Sequence, residues 1–158
     1  MVTILQSTQV GGNDVFVWND LAIAERELIA HYAVISKKFS LNLNETIISG
    51  FSMGGHTALI AALKQLFQIK GFLAVAPYIG DLKQFDKILD SYDSSGLRGY
   101  FLLGKNDEAC THVAIELHEK LNQRGIPCGL EVFPGIAHAF PDDYQSAIER
   151  AIQFINQE

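Results

Sequence analysis

The chain has 158 residues, 48% hydrophobic and 19% charged, which fits one folded domain and excludes a disordered chain. Its formal charge of −6 leaves no basic footprint for nucleic acid, and no apolar run reaches the roughly 18 residues that cross a bilayer. Residues 1–6 lack the basic lead and long apolar stretch of a signal peptide, and Cys110 and Cys128 make no disulfide framework, so a reducing cytoplasm is the expected compartment.

Five short apolar runs predict strands, at residues 2–5, 46–49, 72–76, 100–103 and 130–133. Most lack polar alternation, which is how strands buried on both faces of a parallel sheet read. After the first run, Gly11-Gly12-Asn13-Asp14 is turn chemistry, and no Lys-Ser/Thr follows to make a phosphate loop. Asp20 is placed to cap a helix through Lys38, with Leu21, Ala24, Leu28, His31 and Ile35 at spacings of three and four. A second helix is predicted over 52–67, a shorter and more polar one over 81–89, and an amphipathic one over 108–124. Gly125-Ile126-Pro127 stops the last of these. A final helix is predicted over 142–156. Strand and helix alternate throughout, with no repeat, low-complexity segment or linker. Residues 1–158 therefore read as a single α/β domain of about five mostly parallel strands with helices on both faces, and ligands belong at the carboxyl ends of the strands.

Gly50-Phe51-Ser52-Met53-Gly54 fits Gly-x-Ser-x-Gly, and Gly55 follows it. An apolar strand leads in and an Ala/Leu-rich helix leads out, the setting in which a sharp turn raises a serine above a sheet. Gly50 and Gly54 suit a crossing where Cβ atoms would clash, and the helix N-terminus favours a developing oxyanion at Ser52. A serine hydroxyl needs a base, normally a histidine oriented by a carboxylate, in the chain order Ser, Asp, His. Asp107 follows the strand at 100–103 and His138 follows the strand at 130–133, so both are expected at the same rim as Ser52. Glu108 is a weaker rival for Asp107, and Asp142 and Asp143 suit a helix start.

Three segments, Gly-Phe-Ser-Met-Gly-Gly at 50–55, Gly-Lys-Asn-Asp-Glu at 104–108 and Gly-Ile-Ala-His-Ala-Phe-Pro at 135–141, resemble the α/β-hydrolases. The likeness is nearest to the phospholipase/carboxylesterase-like branch of small bacterial esterases. Residues 5–9 and Val17-Trp18-Asn19-Asp20 are similar to that branch's loop before the helix leading to the serine turn. The resemblance implies Ser52 as nucleophile, His138 as general base then acid, Asp107 as the group that orients the imidazole, and the Met53 N–H as first oxyanion donor. It implies a small-molecule carboxylic ester substrate with a short or medium acyl chain, and neither metal nor organic cofactor.

The same alignment makes residues 2–5 the family's fourth strand, so the first three strands are absent, and with them the loop that normally supplies the second oxyanion N–H. Losing one such donor costs roughly 10²–10³ in rate. Gln6, Ser7 or Gly11-Gly12 are the candidate replacements. Without its usual neighbour, the segment at 2–5 must pair with 46–49 or find a partner elsewhere. A sheet face covered only by the C-terminal helix is also expected, and a homodimer burying that face or the open edge follows.

Phe51, Met53, Tyr78 and Phe140 flank the expected site, each as part of an apolar wall or equally as core, Gln6 is a further substrate-pocket candidate, and Trp18 is a core aromatic or part of an acyl pocket. His56 reads as packing, Cys128 as a small buried hydrophobe. Cys110, His112 and His118 share a helix at spacings that do not converge on a tetrahedral metal. The alternative to an esterase is a catalytically weak, shortened relative, or the C-terminal part of a longer protein, that binds a small acyl ligand or a protein partner.

Overall fold

The first expected strand does not form. In the computed structural model, which describes residues 1–92 and 96–157, residues 1–9 are irregular. Val2 and Ile4 are 90% and 93% exposed. A strand persists only when its backbone groups are paired, and here neighbouring residues are tied elsewhere. Ser7 Oγ donates to Glu27 at 3.0 Å, and the Thr8 N–H donates to the same carboxylate. Gln9 exchanges hydrogen bonds with the Asp20 backbone, at 2.7 and 3.1 Å. The chain then folds into a small antiparallel hairpin, β1 (Val10–Gly12) and β2 (Val15–Phe16). Its turn is the expected Gly-Gly-Asn-Asp stretch, with Asp14 at φ 57°.

The remaining four expected strands form one parallel sheet in the order β3 (Ile47–Phe51), β4 (Gly71–Val75), β5 (Arg98–Gly104) and β6 (Cys128–Phe133). The helices are α1 (Leu21–Lys38), α2 (Met53–Leu63), α3 (Lys83–Asp90), α4 (Thr111–Gln123) and α5 (Tyr144–Ile155). Asp20 caps α1, accepting from the Ile23 N–H at 3.0 Å. Helix α2 stops earlier than its apolar spacing suggests. Gln65 adopts φ 51°, Leu66 N–H returns to Ala61 O and Gln65 N–H to Ala62 O, which closes the helix in a Schellman turn without glycine.

Alternate residues of the central strands feed two cores. Phe72, Ala74, Phe101 and Leu103 pack with Leu59 and Leu63 of α2, Phe85 of α3 and Leu117 and Leu121 of α4. Leu73, Val75, Tyr100 and Leu102 pack with Ala147, Ala151 and Ile155 of α5. Helices thus lie on both faces, and α5 is the only one among the described residues packed in the second core. No helix of the described residues is long and apolar enough to cross a membrane.

Helix α5 is also clamped by charge. Arg150 Nη2 and Nε donate to Glu131 of β6 at 2.6 and 3.0 Å, and Tyr100 Oη donates to the same carboxylate at 2.8 Å. The Arg150 bonds hold the Glu131 carboxyl below its ordinary pKa. A depressed carboxyl adds stability that is present at neutral pH and lost as pH falls through its folded-state value. Glu131→Gln is therefore expected to cost about 1 kcal/mol near pH 7. Denaturant melts should show that difference shrinking in acid, and a constant difference down to pH 3 would contradict the clamp.

Candidate active site

Three strand ends deliver the three expected side chains to one rim. Ser52 follows β3 in a backbone conformation, φ 55° and ψ −119°, that an L-residue adopts only under constraint. The constraint is visible on both sides of the residue. Its N–H donates to Val75 O at 3.0 Å, and its carbonyl accepts from His56 N–H at 3.1 Å and Tyr78 N–H at 3.0 Å. The chain crosses itself so closely that a Cβ on Gly50 would sit 2.2 Å from the Gly54 carbonyl. Ser52 occupies the N-cap of α2 without capping it, so its hydroxyl is free to point elsewhere.

It points at His138. Ser52 Oγ lies 2.8 Å from His138 Nε2, and His138 Nδ1 lies 2.6 Å from Asp107 Oδ2. A carboxylate only accepts, so Nδ1 carries the proton and the Nε2 lone pair faces the serine O–H. Asp107 is 5% exposed, in a turn where its N–H donates to Gly104 O at 3.0 Å and its carbonyl accepts from Thr111 N–H at 2.9 Å. The loops after β5 and β6 are bonded together: Lys105 N–H donates to Phe133 O at 2.9 Å and Asn106 N–H to Ile136 O at 2.8 Å. Gly104 has no room for a side chain, since a Cβ there would lie 2.2 Å from Ala137 O. The histidine loop therefore rests directly on the end of β5, and a tight Ala139 N–H to Ala137 O turn of 2.8 Å carries His138 at its centre.

The other expected residues divide. The Phe51 ring packs 4.8 Å from the His138 ring and stacks 5.1 Å from Phe140, which is 47% exposed. These two form an apolar wall beside the imidazole. Tyr78 has an exposed side chain and serves Ser52 through its backbone. Met53 opens α2, and among the described residues no carbonyl takes its N–H. Gln6 is exposed and bonds to none of the three, while Trp18 lines a groove along β3 that Gly50, Phe51 and Gly54 also line. The Ser7 hydroxyl is buried, donating to Glu27 and accepting from the Gln9 N–H, both at 3.0 Å.

Cys110 is the neighbour that the sequence reading grouped elsewhere. Its Sγ lies 3.7 Å from His138 Nδ1, and burial together with the Asp107 carboxylate pushes its thiol up to about 11. It is therefore a neutral contact at neutral pH, not a competing nucleophile. The spacing of three from Asp107, closed by a Cys110 N–H to Asp107 O turn bond, was the available signal. Asp107, Cys110 and His138 are the one His/Cys/Asp/Glu group among the described residues whose ligand atoms fall within 4.8 Å. His118 instead bonds Cys128 O at 2.9 Å. His56 is half-buried against Phe85, and burial lowers its pKa, in keeping with packing.

The parallel sheet with a serine turn, an acid and a histidine after successive strands is an α/β-hydrolase fold. Residues 14–156 match the dienelactone hydrolase family, and the chain belongs to that family within the α/β-hydrolase superfamily. No curated protein matches the chain. Among solved structures it is similar to a protein of Bacillus cereus ATCC 10987, at 26% identity and TM-score 0.91 over 99% of this chain and 51% of that one. It also resembles esterase PE8, at 22% identity and TM-score 0.74 over 92% of this chain and 74% of that one. A third likeness is to MGS-M1, an α/β-hydrolase enzyme from a Medee basin deep-sea metagenome library. The identity is 16% and the TM-score 0.66, over 86% of this chain and 63% of that one. The chain spans about half the length of the Bacillus cereus protein.

The crossing at Gly50 makes a sharp prediction. Gly50→Ala must push the Gly54 backbone aside, so a loss of at least about 2 kcal/mol is expected, in the range of overpacking. Thermal unfolding measures it, and a variant as stable as the parent would show that the turn is looser than described.

Proposed function

We propose that the chain is a serine hydrolase that cleaves a carboxylic ester or lactone of short or medium acyl length. The observation that carries the proposal is the unbroken hydrogen-bonded line Ser52 Oγ, His138 Nε2, His138 Nδ1, Asp107 Oδ2 at 2.8 and 2.6 Å. Family membership supports hydrolysis, and one of the similar solved structures is an esterase.

The chemistry follows from the placement. As Ser52 Oγ attacks the ester carbonyl, its proton passes to His138 Nε2, and the new C–O bond leaves charge on the carbonyl oxygen. The Met53 N–H, unengaged at the positive end of α2, supports that charge. Asp107 holds the ring in the tautomer that accepts at Nε2 and stabilises the imidazolium once formed. Collapse of the intermediate breaks the bond to the leaving oxygen, which takes the proton from His138. Water then repeats the sequence on the acyl-enzyme, releasing the acid and restoring Ser52. Phe51 and Phe140 give the acyl chain an apolar surface beside the reacting bond. None of these steps calls for a metal or an organic cofactor.

A second reading is a weak relative that binds an acyl ligand or a protein at the same rim. Turnover of p-nitrophenyl acetate and butyrate separates the two. The esterase reading expects activity that falls about 10³-fold or more in Ser52→Ala and in Asp107→Asn. Equal rates in the parent and in Ser52→Ala would overturn it in favour of binding.

A further inference from the structure

The Asp107 carboxylate is short of donors for a group so well shielded. His138 Nδ1 bonds Oδ2 at 2.6 Å, the one N–H or O–H bond to this side chain among the described residues, and Asp107 is 5% exposed. A carboxylate offers about four acceptor sites, and burying it with most of them idle costs free energy. The turn around it spends its donors elsewhere. The Asp107 N–H goes to Gly104 O, the Cys110 and Thr111 N–H groups go to the Asp107 carbonyl at 3.3 and 2.9 Å, and Thr111 Oγ1 goes to Gly104 O at 2.7 Å.

One donor beside it has no other use. Cys110 is 2% exposed and occupies the N-cap of α4, yet its side chain caps nothing. Its Sγ lies 3.7 Å from His138 Nδ1, and polar side-chain atoms of Asp107, Cys110 and His138 all fall within 4.8 Å of one another. Nδ1 carries the proton that faces Asp107 and has no free lone pair for the thiol. The carboxylate is the acceptor left within reach. Burial and the Asp107 charge push the Cys110 thiol up to about 11, so its S–H is present at neutral pH.

We infer that Cys110 is a positioning residue of the site: its S–H donates to the Asp107 carboxylate and sets how strongly that carboxylate holds the His138 Nδ1 proton. A donor to a carboxylate spreads part of its charge, so less is left to stabilise an imidazolium. With the thiol in place, the ring gives up its Nε2 proton at lower pH and is ready to accept from Ser52. Without it, the full charge of Asp107 bears on the ring, which keeps that proton to higher pH. Other charged groups stand off. Lys105, Glu108 and Asp142 are exposed on the loops around the pair, and Asp143 bonds Arg150 at 3.4 Å. Asp107 is the single ion-pair partner of His138 among the described residues. The effect on rate rests on the serine-hydrolase reading; the contact itself does not.

Three variants test it in two readouts. The first is the pH profile of kcat/KM for p-nitrophenyl acetate. Cys110→Ala and Cys110→Val, which lack a donor, are expected to move the acid limb up by about half a pH unit, a loss of about threefold on that limb. Cys110→Ser keeps a donor and holds the limb at or below the parent's position. The second readout is the downfield proton resonance of His138 Nδ1–H against Asp107, recorded without substrate. Both donorless variants are expected to shift it, and Cys110→Ser to leave it near the parent's. A limb and a resonance that stay in place in Cys110→Ala and Cys110→Val overturn the inference, as does Cys110→Ser moving with them. Opposite shifts in Cys110→Ala and Cys110→Val also contradict it, because they would report packing volume instead of the donor. A parent that turns over no ester, while its resonance responds in the expected pattern, removes the hydrolase reading and leaves the Cys110 contact standing.

Discussion

The backbone at Ser52 is held in a conformation that serine does not favour, and the remainder of the site depends on that constraint. Strain of this kind costs on the order of 1–3 kcal/mol and survives only where surrounding structure over-determines it. Here β4 takes the Ser52 N–H through Val75 O, two amides take its carbonyl, and Gly50 passes too close to the Gly54 backbone for a side chain, whereas Gly54, expected to clash as well, has open space where its Cβ would lie. Relaxing any of these would let Ser52 sink toward an ordinary helix cap. As it stands, the hydroxyl is lifted off the helix start and presented at the rim.

The partners reach the same rim because the sheet is parallel. Every strand ends at one edge, so the loops after β5 and β6 come out beside the turn after β3 without any long excursion. Gly104 lets the histidine loop lie on the strand end, and two backbone hydrogen bonds tie the loops carrying Asp107 and His138 to each other. Asp107 is buried while His138 keeps 40% of its side chain exposed. A shielded carboxylate behind an accessible imidazole is the polarity that the proposed acyl transfer needs.

Local chemistry made most of this legible in the sequence. The serine turn announces itself by its glycines between an apolar strand and an Ala/Leu helix, Asp20 caps where capping chemistry says it must, and Gly125 at φ 77° follows the end of α4. Asp107 and His138 were found by their places after successive strands. What failed was non-local. Residues 2–5 have strand composition, yet a local pattern does not encode whether a segment finds a strand partner, and this one finds none among the described residues. The close of α2 was missed because Gln65 takes a left-handed conformation usually left to glycine. The start of α4 lies at Thr111, later than 108, because the Asp107 turn uses the intervening backbone. Cys110 went unrecognised because its contact to His138 is made in space, 28 positions away along the chain.

The central claim is that Ser52 is an activated nucleophile, and covalent labelling addresses it most directly. Incubation with a fluorophosphonate, followed by peptide mapping by mass spectrometry, should place a single adduct on the serine of the peptide containing residues 50–55. His138→Ala should suppress that adduct without unfolding the chain. An unlabelled Ser52, or an adduct that forms equally well without the imidazole, would contradict the account.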